Sequence, residues 1–119
     1  MKTITGRVVG FELNSQEPEK AAAFYSGVFG WEIAEPNWGY YEVARCAGGV
    51  GGGIAKGPED FPHGVRIHIE VEDIEKALEA VCHRGAVVVR EKMEFADFYL
   101  AYFADPTGNG VGLIQNKQQ

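Results

Sequence analysis

Three ionisable side chains alternate along one short stretch, Arg66-Ile67-His68-Ile69-Glu70. In an extended chain, residues two apart project to the same side, so a guanidinium, an imidazole and a carboxylate share one face. The guanidinium is a fork suited to a carboxylate, phosphate or enolate, and the imidazole can exchange a proton near neutral pH. A second strand-like stretch lies 56 residues earlier, where Glu12 takes the place of His68 and Gly10 that of Arg66. His68 and Glu12 are therefore candidate acid/base residues, and Arg66 and Glu70 candidate ligand contacts. The same four side chains also make a self-contained charge cluster, with Arg66 and His68 answering Glu12 and Glu70. A binding pocket and a structural ion cluster are both open readings of these residues.

Other chemical signals are weaker. The run Gly48-Gly49-Val50-Gly51-Gly52-Gly53 looks like a phosphate cradle, but the GxGxxG register would need a third glycine at Ile54. No helix is expected to open after the run, so the dinucleotide reading fails its own context, and a strand with close backbone approach fits better. His63 sits in a linker-like segment, and His83 at a helix end where facing the dipole suffices. Cys46 and Cys82 show no CxxC spacing, and Cys82 falls on the apolar face of a helical stretch, as a small hydrophobe would. Aromatic residues able to wall a pocket are plentiful: Trp38, Tyr40, Tyr41, Tyr99, Tyr102 and Phe103.

The elements that position these residues come in two copies. Glu19-Lys20-Ala21 recurs as Glu75-Lys76-Ala77, again 56 residues on. Each copy lies in a helix that follows an alternating strand (residues 7–13 and 65–71). Each helix stops at a glycine, Gly30 or Gly85, and leads to a Gly-rich last strand (residues 50–54 and 110–114). Helix one is expected over residues 17–29, capped by Ser15 or Asn14, with Ala21, Phe24, Tyr25, Val28 and Phe29 as its buried stripe. Helix two is expected to open on Asp73 and to bury Ile74, Ala77, Leu78, Val81 and Cys82. Val9, Phe11 and Leu13, and likewise Val65, Ile67, Ile69 and Val71, must cover those helices, which leaves Gly10, Glu12, Arg66, His68 and Glu70 on the opposite face. Asp105-Pro106-Thr107-Gly108 is a turn between the last two strands.

Composition bounds the function. A chain of 119 residues is one domain by size. Its organisation reads as module one over about residues 5–55, a linker over about 55–64 and module two over about 65–116. The net charge of −6 excludes the basic footprint that nucleic acid or an anionic membrane surface requires. The sequence has no apolar run of spanning length and no secretory h-region near Met1, and its cysteine usage fits a reducing compartment, so a cytoplasmic location is expected.

Phe24-Tyr25 followed by Phe29-Gly30-Trp31, then Val71-Glu72-Asp73-Ile74, then Phe103-Ala104-Asp105-Pro106-Thr107-Gly108-Asn109, resemble in order and spacing the vicinal oxygen chelate superfamily, which includes glyoxalase I, bleomycin-resistance proteins and extradiol dioxygenases. The resemblance covers almost the whole chain. It implies an α+β fold of two β-α-β-β-β modules, a cup-shaped mixed sheet with helices on the convex face, and a homodimer. Metal-dependent relatives hold a divalent ion on four strands. The corresponding positions here are Gly10, Arg66, Gly112 and, near the end of module one, Gly52, none of which can donate a lone pair as a ligand must. No metal or other cofactor is expected at that site; a displaced divalent ion on Glu12, His68 and Glu70 is the alternative, with Arg66 opposing it. The glycines instead leave a pocket for a small polar or anionic molecule, lined by Gly10, Gly52 and Gly112 with Arg66 and Glu70 as contacts. Two function classes follow: a metal-free ligand-binding protein, and a glyoxalase/dioxygenase-type enzyme (lyase or isomerase) working through His68 and Glu12 or through the displaced metal.

Overall fold

The computed structural model describes residues 4–117 as seven strands and two helices. In chain order these are β1 (Arg7–Ser15), α1 (Pro18–Phe29), β2 (Tyr41–Val43), β3 (Gly51–Lys56), β4 (Gly64–Glu70), α2 (Ile74–His83), β5 (Val87–Glu94), β6 (Phe98–Ala104) and β7 (Gly110–Asn116). The fold is mixed α+β, as the duplicated pattern requires. Among the described residues no helix is long and apolar enough to cross a membrane. The chain forms two compact units, one over Gly10–Arg66 and one comprising the chain up to Val9 and from Ile67 onward.

In the first unit the strands run in the order β2-β3-β1. β3 is antiparallel to β2 and parallel to β1, with Phe11 opposite Gly52 and Glu12 opposite Gly53. Its core is small: Ala22, Val43 and Ile54, flanked by Phe11, Leu13, Tyr25, Trp31 and Ile33. The helix ends as expected, Gly30 adopting a left-handed conformation while its N–H donates to the Ser26 carbonyl. Its N-terminus has no side-chain cap. The Ser15 hydroxyl accepts from the Glu17 N–H, whereas Asn14, proposed above as the other cap, is a buried strand residue. The buried stripe also differs from expectation. Ala22 is buried while Phe24, Val28 and Phe29 are exposed, because the helix is apolar on two overlapping stripes and the one through Ala22 faces β3. Module one also falls short of the expected β-α-β-β-β pattern. Its second strand is reduced to a bridge between Ile33 and Val43, enclosed between the Gly30 cap and Pro36.

In the second unit the order is β4-β7-β6-β5, with β4 parallel to β7 and the remaining pairs antiparallel. Here α2 lies on a core of Val71, Ile74, Ala77, Leu78, Ala86, Ala101, Phe103, Val111 and Leu113. Asp73 caps the helix by accepting from the Lys76 N–H, and Gly85 takes the left-handed conformation just past its end. Cys82 is exposed, one step off the stripe that Ile74, Ala77 and Leu78 bury. Val65 and Ile67, expected to cover a helix, are also exposed; only Ile69 and Val71 of that row reach the α2 core. The Asp105–Gly108 turn forms as read, closed by the Gly108 N–H on the Asp105 carbonyl. The segment read as a linker is partly strand: β3 continues through Lys56 and β4 begins at Gly64. Between them the Gln16 amide donates to the carbonyls of Gly57 and Pro62, tying the loop to the end of β1.

Candidate functional site

The polar face of the first unit carries a buried cluster. Alternation along β1 buries Gly10, Glu12 and Asn14 together, while Phe11 and Leu13 turn toward α1. Arg66, near the start of β4, reaches this row: its Nη2 donates to Glu12 Oε2 and to Asn14 Oδ1, each at 3.0 Å. All three are buried, with relative exposures of 9% for Glu12, 3% for Asn14 and 6% for Arg66. The Phe61 ring, from the loop before β4, lies 4.1 Å from the guanidinium carbon and covers its face. Tyr40 approaches the carboxylate from the hairpin before β2. Burial, reinforced by the charges of Glu12 and Glu42, raises its phenol above the ordinary tyrosine value.

A cluster of this kind can do two things. It sets a carboxylate against a guanidinium in a low-dielectric setting, with an amide beside them. It is also a buried ion pair, which is costly to break from either side.

The sequence brings Arg66 and Glu12 together correctly, and the structure adds Asn14, Tyr40 and Phe61. Asn14 has the same strand parity as Glu12, which is the signal that identifies it. Glu70, assigned above to the same set, has other partners: the Arg7 guanidinium at 2.9 Å and the Asn116 amide, which hold its carboxyl below the usual range. Gly52 is also displaced from its expected face. It sits opposite Phe11, and a side chain there would run into the Phe11 ring, so Gly51 and Gly53 are the glycines that share the face of Gly10 and Glu12.

His68 lies in the second unit, opposite Gly112 of β7, which in turn is opposite Tyr102 of β6. The imidazole leans over the bare backbone of Gly112, where a Cβ would come within 2.6 Å of its ring, and the Tyr102 ring meets it edge-on at 6.3 Å. Gly112 thus makes room for the His68 ring itself.

The four positions at which the resemblance implies metal ligands do not fit a divalent ion. Gly10, Gly52 and Gly112 offer no donor, and Arg66 is a cation already joined to Glu12. Among the described residues no three His, Cys, Asp or Glu side chains converge as an alternative.

With this geometry in place, comparison with known proteins assigns the family. Residues 10–114 match the family model of the glyoxalase-like domain. The chain is 27% identical over 113 residues to the protein CFP32 of Mycobacterium tuberculosis, covering 87% of this chain but only 43% of that protein's length. Among solved structures, a glyoxalase/bleomycin resistance protein/dioxygenase superfamily member from Vibrio splendidus superposes with a TM-score of 0.64 at 20% identity, covering 94% of this chain and 99% of that one. A methylmalonyl-CoA epimerase in complex with methylmalonyl-CoA and NH4+ gives 0.68 at 16% identity, covering 98% and 97%. This chain belongs to the glyoxalase-like domain family.

Proposed function

We propose that this chain is a metal-independent glyoxalase-like protein that binds a small polar or anionic molecule at the Arg66–Glu12–Asn14 cluster. The observation that carries this reading is the convergence of three buried polar side chains on the strand face that Gly10, Gly51 and Gly53 share, where the Tyr40 ring stands over Gly53. A buried ion pair is often no more stable than apolar residues of the same volume, so such a group is a weak stabiliser and a specific recogniser. Arg66 Nη2 already serves Glu12 and Asn14. The ligand therefore meets a preorganised cluster rather than a loose cation. The test is thermal melting with a panel of small carboxylates and inorganic phosphate, alongside elemental analysis. The expected result is a rise in Tm with at least one anion and no stoichiometric metal. Failure of every anion to stabilise the protein, or about one divalent ion per chain released by mutating Glu12 or His68, would overturn the reading.

A second reading, catalysis, is favoured by one observation: the imidazole of His68 is held over a bare backbone with the Tyr102 ring at its edge. On that reading His68 is the acid/base group of a lyase or isomerase. His68→Gln removing turnover of a substrate while leaving its binding intact is the expected outcome; unchanged turnover would exclude it.

A homodimer completes the proposal, supported by the exposed Phe24, Val28 and Phe29 on α1. Sedimentation should give twice the 13.0 kDa chain mass, and a monomer at tens of micromolar would refute it.

A further inference from the structure

The hairpin that leads into β2 is unusual at both of its central residues. Asn37 and Tyr40 exchange backbone hydrogen bonds at 3.0 Å, and between them Trp38 (φ 56°) and Gly39 (φ 78°) are both left-handed. This is the backbone of a tight two-residue hairpin, in which asparagine or glycine normally fills the first position. A tryptophan there carries a steric cost, and its side chain, 99% exposed, gains no packing in return. The turn does accomplish one thing: it reverses the chain so that Tyr40 folds inward.

The phenol of Tyr40 lies across Gly53. A Cβ at Gly53 would fall 2.0 Å from both Cζ and Oη of Tyr40, so the ring occupies the volume a side chain would take. Gly53 is the register partner of Glu12 on one side and of Glu42 on the other. The ring therefore rests beside the buried carboxylate. Within the cluster Glu12, Asn14 and Arg66 are closed to solvent, whereas Tyr40 is 40% exposed. Packing alone would be served by any residue larger than glycine at position 53, with Tyr40 turned outward.

We propose that Tyr40 is the gate and the specificity-determining residue of the Arg66–Glu12–Asn14 site, its ring standing over Gly53 between Glu12 and solvent. The inference rests on the reading of that cluster as the binding site. It defines the ligand class further: a compact oxyanion or polar molecule that slips beside the phenol and accepts a hydrogen bond from it. A molecule that carries a ring of its own is turned away. A tyrosine phenol carries its proton at neutral pH, as a donor requires.

Carboxylate footprinting tests the gate without any ligand. The full chain is treated with a water-soluble carbodiimide and glycinamide, and amidation of Glu12 is read by peptide mass spectrometry against the exposed Glu42. In the wild type and in Tyr40→Phe, which keeps the ring, Glu12 should react at least ~10-fold more slowly than Glu42. In Tyr40→Ala the two rates should approach each other. Gly53→Ala, which drives the ring out with a methyl group, should do the same by an independent route. Glu12 remaining protected in both Tyr40→Ala and Gly53→Ala, or reacting freely in the wild type, would overturn the gate. A ligand arm reads selectivity as the shift in Tm with acetate and with benzoate. The expected pattern is acetate stabilising the wild type and, with the phenol donor lost, Tyr40→Ala less, while benzoate stabilises only Tyr40→Ala; benzoate stabilising the wild type equally would overturn the specificity role. If no anion shifts either protein while footprinting still shows the gate opening, the binding reading fails and the gate stands.

Discussion

The two modules share one plan and put it to different uses. In each, the first strand sets an ionisable side chain opposite a glycine of the last strand, Glu12 opposite Gly53 and His68 opposite Gly112, and an aromatic or imidazole ring lies over the glycine backbone. Module two backs this feature with nine buried apolar residues on the helix side of the sheet, a capped helix and three full strands after it. Module one has three buried apolar residues, an uncapped helix and a strand reduced to a bridge. Module one supplies Glu12 and most of the compact unit Gly10–Arg66, and into that unit, with its smaller core, the chain has placed its most costly buried group, the Arg66–Glu12 pair. A duplicated fold can thus concentrate its stability in one copy and leave the other free to carry polar chemistry.

The strongest way to break this contrast is to attack the ion pair itself. Arg66→Met should cost ~3–5 kcal/mol in chemical denaturation, because Glu12 is left buried and uncompensated. Adding Glu12→Leu to that variant should recover most of the loss. If the single variant is neutral, the cluster is wetter than its burial implies. In module two, Ile74→Ala, at a fully buried position of the larger core, should cost ~2–5 kcal/mol. Val43→Ala in module one, at a buried position of the smaller core, should cost less. Equal losses would erase the distinction between the cores.

Helix ends give a smaller and cleaner comparison. Asp73→Ala removes the cap of α2 and should lower stability by ~1 kcal/mol, whereas Glu17→Ala at the start of α1 removes no side-chain cap and should be nearly silent. The smallest effect is electrostatic. The Asp105 carboxylate accepts from the backbone of Asn109 and from the side chain and backbone of Thr107, which lowers its value from 3.8 to about 2. A depressed folded-state value means that this turn contributes stability above pH ~4, and that the contribution fades as pH falls toward 2. Asp105→Asn should therefore flatten the acid limb of the stability profile slightly, with no change in its slope near neutrality.

What was legible in the sequence follows from these same contrasts. The repeat offset paired Glu12 with His68, and strand alternation put Arg66 on the polar face, because both signals are periodic and local. Asp73, Gly30, Gly85 and the Asp105 turn were readable for the same reason, each being a backbone device with its own residue preference. Gly52 was misplaced because a run of glycines carries no alternation, so a slip of one residue passes unnoticed and reverses the face. Glu70 was misassigned because Arg7 and Asn116, its partners, come from elements whose pairing the local pattern does not encode. The stripe of α1 failed because Phe24 and Val28 satisfy the helical period as well as Ala22 does; only the facing strand decides between them.

The two tryptophans give the asymmetry of the modules an optical consequence. Both belong to module one, Trp31 stacked 4.6 Å from the Tyr25 ring and Trp38 bare at the tip of its hairpin. Module two has no indole at all. An emission spectrum of this protein is the sum of one sheltered and one water-facing fluorophore, both in the half that holds the Arg66 cluster. An unfolding curve followed by tryptophan emission therefore watches that half, and circular dichroism of the backbone watches both. Should the halves come apart at different temperatures, the two curves will separate, and the order in which they do so can be read without a single mutation.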